Sequence, residues 1–243
     1  MHELPLIAAQ AVPWISVAEM REVDRLMTDE LGVALPLMME NAGRSLAVAA
    51  RGLLDGDVEG RRITVLAGAG GNGGGGMAAA RHLHVAGALV QVLLATAPTA
   101  LRPVARLQFD ILRRAGVPVE FVDDATLRQC DLVLDALLGY SQSGPPRANV
   151  MQLIELAHGS KVLALDVPSG LELETEKLHE PHVRADATLT LALPKAGLRV
   201  GVTNGVVGEL LLADISVPPL VYERIGRAHT SPFSVSPIVR IGR

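Results

Sequence analysis

The stretch 66-LAGAGGNGGGGMAAARHL-83 packs seven glycines into the nine residues from Gly68 to Gly76. It follows the apolar run 62-RITVLAG-68 and leads into 77-MAAARHLHVAG-87, a helix-like segment. Glycine loses more conformational freedom on folding than any other residue, so a chain crowds it where backbone room is needed. A tight turn between strand and helix needs one or two. Seven read as a loop that a ligand approaches closely, with main-chain N–H groups at a helix start ready for an anion.

Outward from this unit the pattern repeats. The runs 88-ALVQVLLA-95, 119-VEFVD-123, 131-DLVLDALLG-139, 161-KVLALDVPSG-170 and 187-ATLTLAL-193 are short, apolar and bounded by Gly, Pro or Asp. Near-continuous apolar strands are those covered on both faces. Helical segments, notably 101-LRPVARLQFDILRRAG-116, separate several of them. Strand–helix alternation predicts a three-layer α/β/α, Rossmann-like fold around a mostly parallel, doubly wound sheet. Ahead of the first strand, Ser16 and Glu19 form a capping box for a helix over residues 16–32. A second helix is expected from about Pro36 to Leu54. One domain spans 1–243, with residues 1–15 as an N-terminal arm and about 228–243 as a loosely held tail.

Composition narrows the function. A net charge of −4 and only six aromatic residues argue against nucleic acid, which needs basic surfaces and stacking platforms. No apolar run reaches the roughly 18 residues that span a bilayer. The start lacks the basic segment of a signal peptide, and Cys130 is the single cysteine. A cytoplasmic protein without nucleic-acid or membrane partners is expected, with Cys130 as a small core residue. The seven histidines are not expected to bind metal. His82 and His84 lie two apart on a helix and cannot face each other. His179 and His182 fall in a polar, Glu-rich loop and are expected to be solvated.

In a doubly wound sheet the ligand crevice lies outside the carboxyl ends of the strands. Three polar stretches belong there: the glycine run, 135-DALLGYSQSGPPR-147 and 166-DVPSG-170. Gly68, Gly70 and Gly73 satisfy the dinucleotide pattern G-x-G-x-x-G, but no Asp or Glu occurs between Glu59 and Asp110 to hold an adenine ribose. An ordinary NAD dehydrogenase is therefore disfavoured, and without a Lys-Ser or Lys-Thr after the glycines so is a P-loop. Asn72 is either a turn residue or a ligand. Asp135 and Asp166 are either loop caps, members with Asn72 and Ser169 of an oxygen cage for a hard cation, or acid–base groups.

The segments LMMENAGRSLA, GAGGNGGGGMAAARHL, DLVLDALLGYSQSGPPR, VLALDVPSGLE, ADATLTLALPKAGL and GELLLADISVP, in this order, resemble the NAD(P)HX epimerase family, also called the YjeF N-terminal domain. The resemblance runs from about Ser16 to Pro218. It implies a dimeric isomerase that interconverts the R and S forms of hydrated NADH and NADPH, in which water has added to C6 of the nicotinamide ring. It also implies a functional partner, an NAD(P)HX dehydratase. Carried over, Gly71, Asn72, Gly73, Gly74 and Gly75 would contact the nucleotide, as would Gly139, Tyr140, Ser141, Gln142, Ser143, Gly144 and Pro145. Asn72, Asp135 and Ser169 would ligate one potassium ion per subunit. Asp166 would touch the hydrated ring and transfer the proton. Lys195 matches a family motif without a physical role of its own. Two departures stand out: Gly71 and Gly75 replace an Asn and an Asp of the family's NNGGDG, and Tyr140 replaces Thr or Phe. The loss of an acid at 75 leaves an alternative open, a nucleotide-binding or scaffold domain of the same family without activity.

Overall fold

The structure is a computed structural model that describes residues 4–122 and 129–242. Asp123 of the third apolar run, residues 1–3 of the arm and residue 243 of the tail lie outside the described residues. Each of the apolar runs contributes a strand. β1 is Leu6–Ile7, β2 Arg62–Ala67, β3 Leu89–Leu94, β4 Val119–Phe121, β5 Leu132–Ala136 and β6 Val162–Leu165. β7 (Leu171–Glu172) and β8 (Lys177–Leu178) pair as a small separate ribbon, and β9 (Ala187–Leu191), β10 (Glu209–Ala213) and β11 (Ile238–Ile241) complete the main sheet.

The nine strands of that sheet run in the order β1-β11-β10-β9-β6-β5-β2-β3-β4, parallel throughout except between β10 and β11. From β2 the chain moves outward through β3 and β4, then returns to the other side of β2 with β5. The order reverses between β2 and β5. That reversal is where a doubly wound sheet opens a crevice at its carboxyl edge.

The capping box forms as expected: Glu19 N–H donates to Ser16 Oγ at 3.1 Å and Ser16 N–H to Glu19 Oε2 at 2.7 Å. α1 (Val17–Arg25) then runs into a π-helical turn over Leu26–Glu30, and α2 spans Leu35–Leu53. α3 is Gly71–Val85, α4 Pro103–Arg114, α5 Ala148–Leu156, α6 Leu198–Thr203 and α7 Pro219–Arg224. Residues of α2, α3 and α4 share a core with Ile63 and Val65 of β2 and Leu132 and Leu134 of β5. From the opposite face Leu153 and Ile154 of α5 pack on Leu66 and Val133. Alternate residues of each strand thus enter opposite layers, which is why the runs read as unbroken apolar stretches.

Two expectations need correction. The glycine run is not a loop: the turn proper is Gly68–Gly70, and Gly71–Gly76 form the first turns of α3. Gly73, Gly74, Gly75 and Gly76 are buried there. A Cβ on Gly73 would lie 1.9 Å from the carbonyl oxygen of Gly68, and one on Gly76 2.4 Å from the Ala136 Cβ. Close packing of helix on sheet, rather than ligand approach, accounts for these positions. The tail also differs from its expected looseness. Ile238–Ile241 pair antiparallel with β10 while Leu6 and Ile7 of the arm pair parallel with β11, because both segments offer apolar residues to an open sheet edge.

Candidate active site at the switch point

A cavity of about 810 Å³ opens at the carboxyl ends of β2, β5 and β6, within the range of small-molecule sites. Its floor is the turn Gly68–Gly71 with Asn72. One wall is the segment after β5, Gly139 to Pro145, and another is Leu165–Asp166 at the end of β6. Met20, Asp24, Met38 and Met39 from the N-terminal helices close it, and Lys195 lies deep inside. Gly71, Asn72, Gly139, Tyr140, Ser141, Gln142, Ser143, Gly144, Pro145 and Asp166 therefore meet in one place. Gly73, Gly74 and Gly75 do not line it: Gly73 packs on the turn at Gly68, Gly74 on α4, and Gly75 on Leu165 of β6 and Ala42 of α2. Beside Gly75 the space is held by Leu165, whose Cδ2 would lie 2.9 Å from a Cβ at position 75.

Asp166 follows β6 with φ of +65°, a conformation that non-glycine residues rarely adopt and that clusters at functional sites. The residue is 3% exposed, and both carboxylate oxygens accept hydrogen bonds. Oδ2 accepts the Tyr140 N–H at 2.9 Å, and Oδ1 accepts from Lys195 Nζ at 2.6 Å and Thr190 Oγ1 at 3.4 Å. Lys195 is 1% exposed. Its ammonium also donates to the Leu191 carbonyl at 2.8 Å and to Thr190 Oγ1 at 3.2 Å. The arm fixes this lysine from behind: Ile15 bridges Lys195, with Ile15 N–H on Pro194 O and Ala196 N–H on Ile15 O. Lys195 thereby gains the role that the sequence did not disclose, as the counter-charge of Asp166.

Sequence reading also missed Asp24. Its Oδ2 accepts the Tyr140 hydroxyl at 2.6 Å. Burial pushes the Asp24 carboxyl up, against the opposing pull of that hydrogen bond and of Lys195. Burial, followed by the charge of Asp24, likewise pushes the Tyr140 hydroxyl up. The available signal was position: Asp24 stands four residues after the buried Met20, on the inward stripe of α1.

Asp135 and Ser169 lie behind the lining, joined to Asn72 through one residue, Leu138. Asn72 Nδ2 donates to the Leu138 carbonyl at 2.8 Å, and Leu138 N–H donates to Ser169 Oγ at 3.0 Å. Ser169 Oγ donates to Asp135 Oδ1 at 2.7 Å, and Ser169 N–H to Oδ2 at 2.8 Å. Asp135 has no solvent exposure, and burial pushes its carboxyl up to about 6 although Ser169 and the Leu137 N–H pull it down. Among the described residues no cationic side chain pairs with it. A buried carboxylate whose partners among the described residues are all neutral donors leaves its charge uncompensated, and a hard monovalent cation would suit it.

His179 and His182 depart from their expected solvation. His182 is buried, and His179 Nε2 lies 2.8 Å from Glu172 Oε2, whose carboxyl that contact holds low. His82 pairs with Glu40 at 2.8 Å. Cys130 is half-buried against the α5-side core, and burial pushes its thiol up.

Residues 36–197 match the family described as YjeF-related protein N-terminus. The chain is 43% identical over 236 residues to an NAD(P)H-hydrate epimerase of Dehalogenimonas lykanthroporepellens, covering 96% of this chain and 94% of that one. It is 37% identical to an NAD(P)H-hydrate epimerase of Truepera radiovictrix, covering 93% of this chain and all of that one. With a bifunctional NAD(P)H-hydrate repair enzyme of Moorella thermoacetica it shares 36% identity, across 84% of this chain but 40% of the longer relative. The crystal structure of yeast ynu0 superimposes with a TM-score of 0.80 at 23% identity, over 94% of this chain and 100% of that one, and has the same fold. The chain belongs to the YjeF-related protein N-terminus family.

Proposed function

We propose that this chain is an NAD(P)H-hydrate epimerase, an isomerase that interconverts the R and S forms of hydrated NADH and NADPH. The single observation that carries the reading is the ion-paired Asp166 at the switch-point cavity, facing the segment Gly139 to Pro145. The names of full-length relatives support the same activity. Asp166 is the group for proton transfer at C6. The lining residues Gly71, Asn72 and Gly139 to Pro145 would hold the nucleotide. Arg102 and Arg147 also line the cavity, and neither guanidinium has a partner among the described residues. With the uncapped N-terminus of α3 they suit a diphosphate.

Asn72, Asp135 and Ser169 would hold one potassium ion per subunit. Bound there, potassium would supply the counter-charge that the Asp135 carboxylate lacks and help keep Leu138 in place; the proton chemistry belongs to Asp166. The protein is proposed to act in the cytoplasm as a homodimer, with a dehydratase as functional partner. The bifunctional relatives, matched over less than half their length, have room for a second activity beside this one. Among the described residues no helix is long and apolar enough to cross a membrane.

Purified protein given one epimer of hydrated NADPH should convert it to the mixture of both. Asp166→Asn keeps the size of the side chain but removes the acid–base group. It should slow conversion by roughly 10²–10⁴-fold while nucleotide binding persists. If activity in that variant merely tracks the folded fraction, Asp166 is a structural cap and the assignment fails.

A further inference from the structure

The Lys195 ammonium has three N–H bonds and meets three acceptors: Asp166 Oδ1 at 2.6 Å, Leu191 O at 2.8 Å and Thr190 Oγ1 at 3.2 Å. Each proton has its own oxygen. A neutral amine would point a lone pair at one of these acceptors, so the arrangement fits the charged form. No lone pair is free to attack a carbonyl, which removes Lys195 as a nucleophile. Its charge also ties Asp166 Oδ1 into the interior. Among the described residues Oδ2 accepts only the Tyr140 N–H, and it lies beside Gly139, 3.3 Å from where a Cβ there would stand, where both residues line the cavity. The other ionisable groups facing this pair are Asp24 and Tyr140, which are bonded to each other.

We infer that Lys195 is a positioning residue that holds Asp166 as an ionised base with one reactive oxygen, and that epimerisation therefore opens the hydrated ring at the C6–N1 bond. This rests on the proposed epimerase activity. The alternative is loss of the C6 hydroxyl as water, which needs an acid at the outset, and the ion pair supplies a base. In the ring-opening route Asp166 Oδ2 takes the proton of the C6 hydroxyl. The oxygen's electron pair forms the aldehyde C=O, the C6–N1 bond breaks, and its pair goes to N1. Asp166 then hands the same proton to N1, which was bonded to that carbon until the cleavage and so starts beside the same carboxylate. The intermediate is an isomer of the substrate, so no co-reactant is required. Rotation about C5–C6 turns the other face of the aldehyde to N1. Closure reverses each step and returns the proton through Asp166. Lys195, with no free lone pair, cannot trap the aldehyde as a Schiff base.

The two routes differ in the fate of an oxygen. Ring opening keeps the original C6 oxygen; loss and re-addition of water replaces it with one from solvent. Wild-type protein should therefore be run in water carrying heavy oxygen, and the inverted epimer weighed by mass spectrometry after subtracting a protein-free control. Most inverted molecules should retain the unlabelled oxygen. One solvent oxygen in every inverted molecule would overturn the inference and leave the epimerase activity intact, whereas no conversion at all would overturn both. For the lysine itself, Lys195→Met should lower kcat by at least about 100-fold with KM changed little, because the effect is on proton transfer and not on binding. Lys195→Arg, which keeps the charge, should recover part of the loss. Wild-type kcat in Lys195→Met overturns the positioning role. If that variant fails to fold, as an unpaired buried carboxylate could cause, the oxygen label in the wild type still decides the route.

Discussion

Asp135 and Asp166 are both buried carboxyls at the ends of adjacent strands, and their surroundings set them apart. Asp166 has an ammonium within hydrogen-bond reach; among the described residues Asp135 has only a hydroxyl and two amides. With its carboxyl raised from 3.8 to about 6, Asp135 binds its proton more tightly folded than unfolded. Its contribution to stability is therefore full below about pH 4 and is lost as the pH rises through 6. The loss amounts to about 3 kcal/mol in buffer without potassium. Urea unfolding of wild type and Asp135→Asn across this range should show the wild type losing stability relative to the variant as pH rises. A wild type that gains on the variant instead would place Asp135 in a different electrostatic setting. Adding potassium near pH 7 should restore the difference if the ion binds there. Both aspartates were legible in the sequence because each ends an apolar strand. Lys195 and Asp24 were not, because their relevance depends on which distant segments meet: Lys195 follows the neighbouring β9, and Asp24 comes from a helix outside the sheet.

At the level of elements, α3 shows where a pattern can be read correctly in kind and wrongly in form. Each glycine in a helix costs about 1 kcal/mol relative to Ala, so five of the six residues from Gly71 to Gly76 speak against a helix by propensity. Packing overrides them. α3 lies so close to the turn at Gly68 and to the strand end at Ala136 that side chains would collide. Gly73→Ala, though it raises helix propensity, should destabilise the fold, because its methyl would meet a backbone carbonyl that cannot swing away. Overpacking typically costs about 1–3 kcal/mol, and this site belongs at the upper end. A gain in the urea midpoint for this variant would mean that α3 sits farther from the sheet. The strands were easier to read. Burial on both faces made each a continuous apolar run, so neither register nor alternation had to be inferred.

For the whole molecule, the two ends matter more than an N-terminal arm and a loosely held tail suggested. β11 joins β10, and β1 joins β11, so the first and last described segments close the same edge of the sheet. Arg240 on β11 also reaches Glu209 on β10 at 3.1 Å. Removing the chain from Ile238 onward should therefore lower the thermal midpoint and expose the N-terminal arm to protease. Unchanged melting and protection would show that the edge contributes nothing. Short segments like these have too few residues to show a period, and their apolar character becomes meaningful only beside an open edge. The homodimer is a separate matter: Met38 and Met39 turn inward, while Leu35 and Leu37 remain exposed on α2. Light scattering at micromolar concentration should report a mass of two chains, and a monomer would assign those leucines to the free surface.

The bridge between Ile15 and Lys195 joins residues from near the beginning of the chain and from its last quarter. During synthesis the arm must wait, unpaired, until almost the entire sheet has emerged. Contacts so far apart along the chain carry a loop-closure cost and come late in folding. A partly made chain can thus acquire its glycine turn and central strands before the lysine is seated beside Asp166. The nascent protein would be shaped well before it could move a proton.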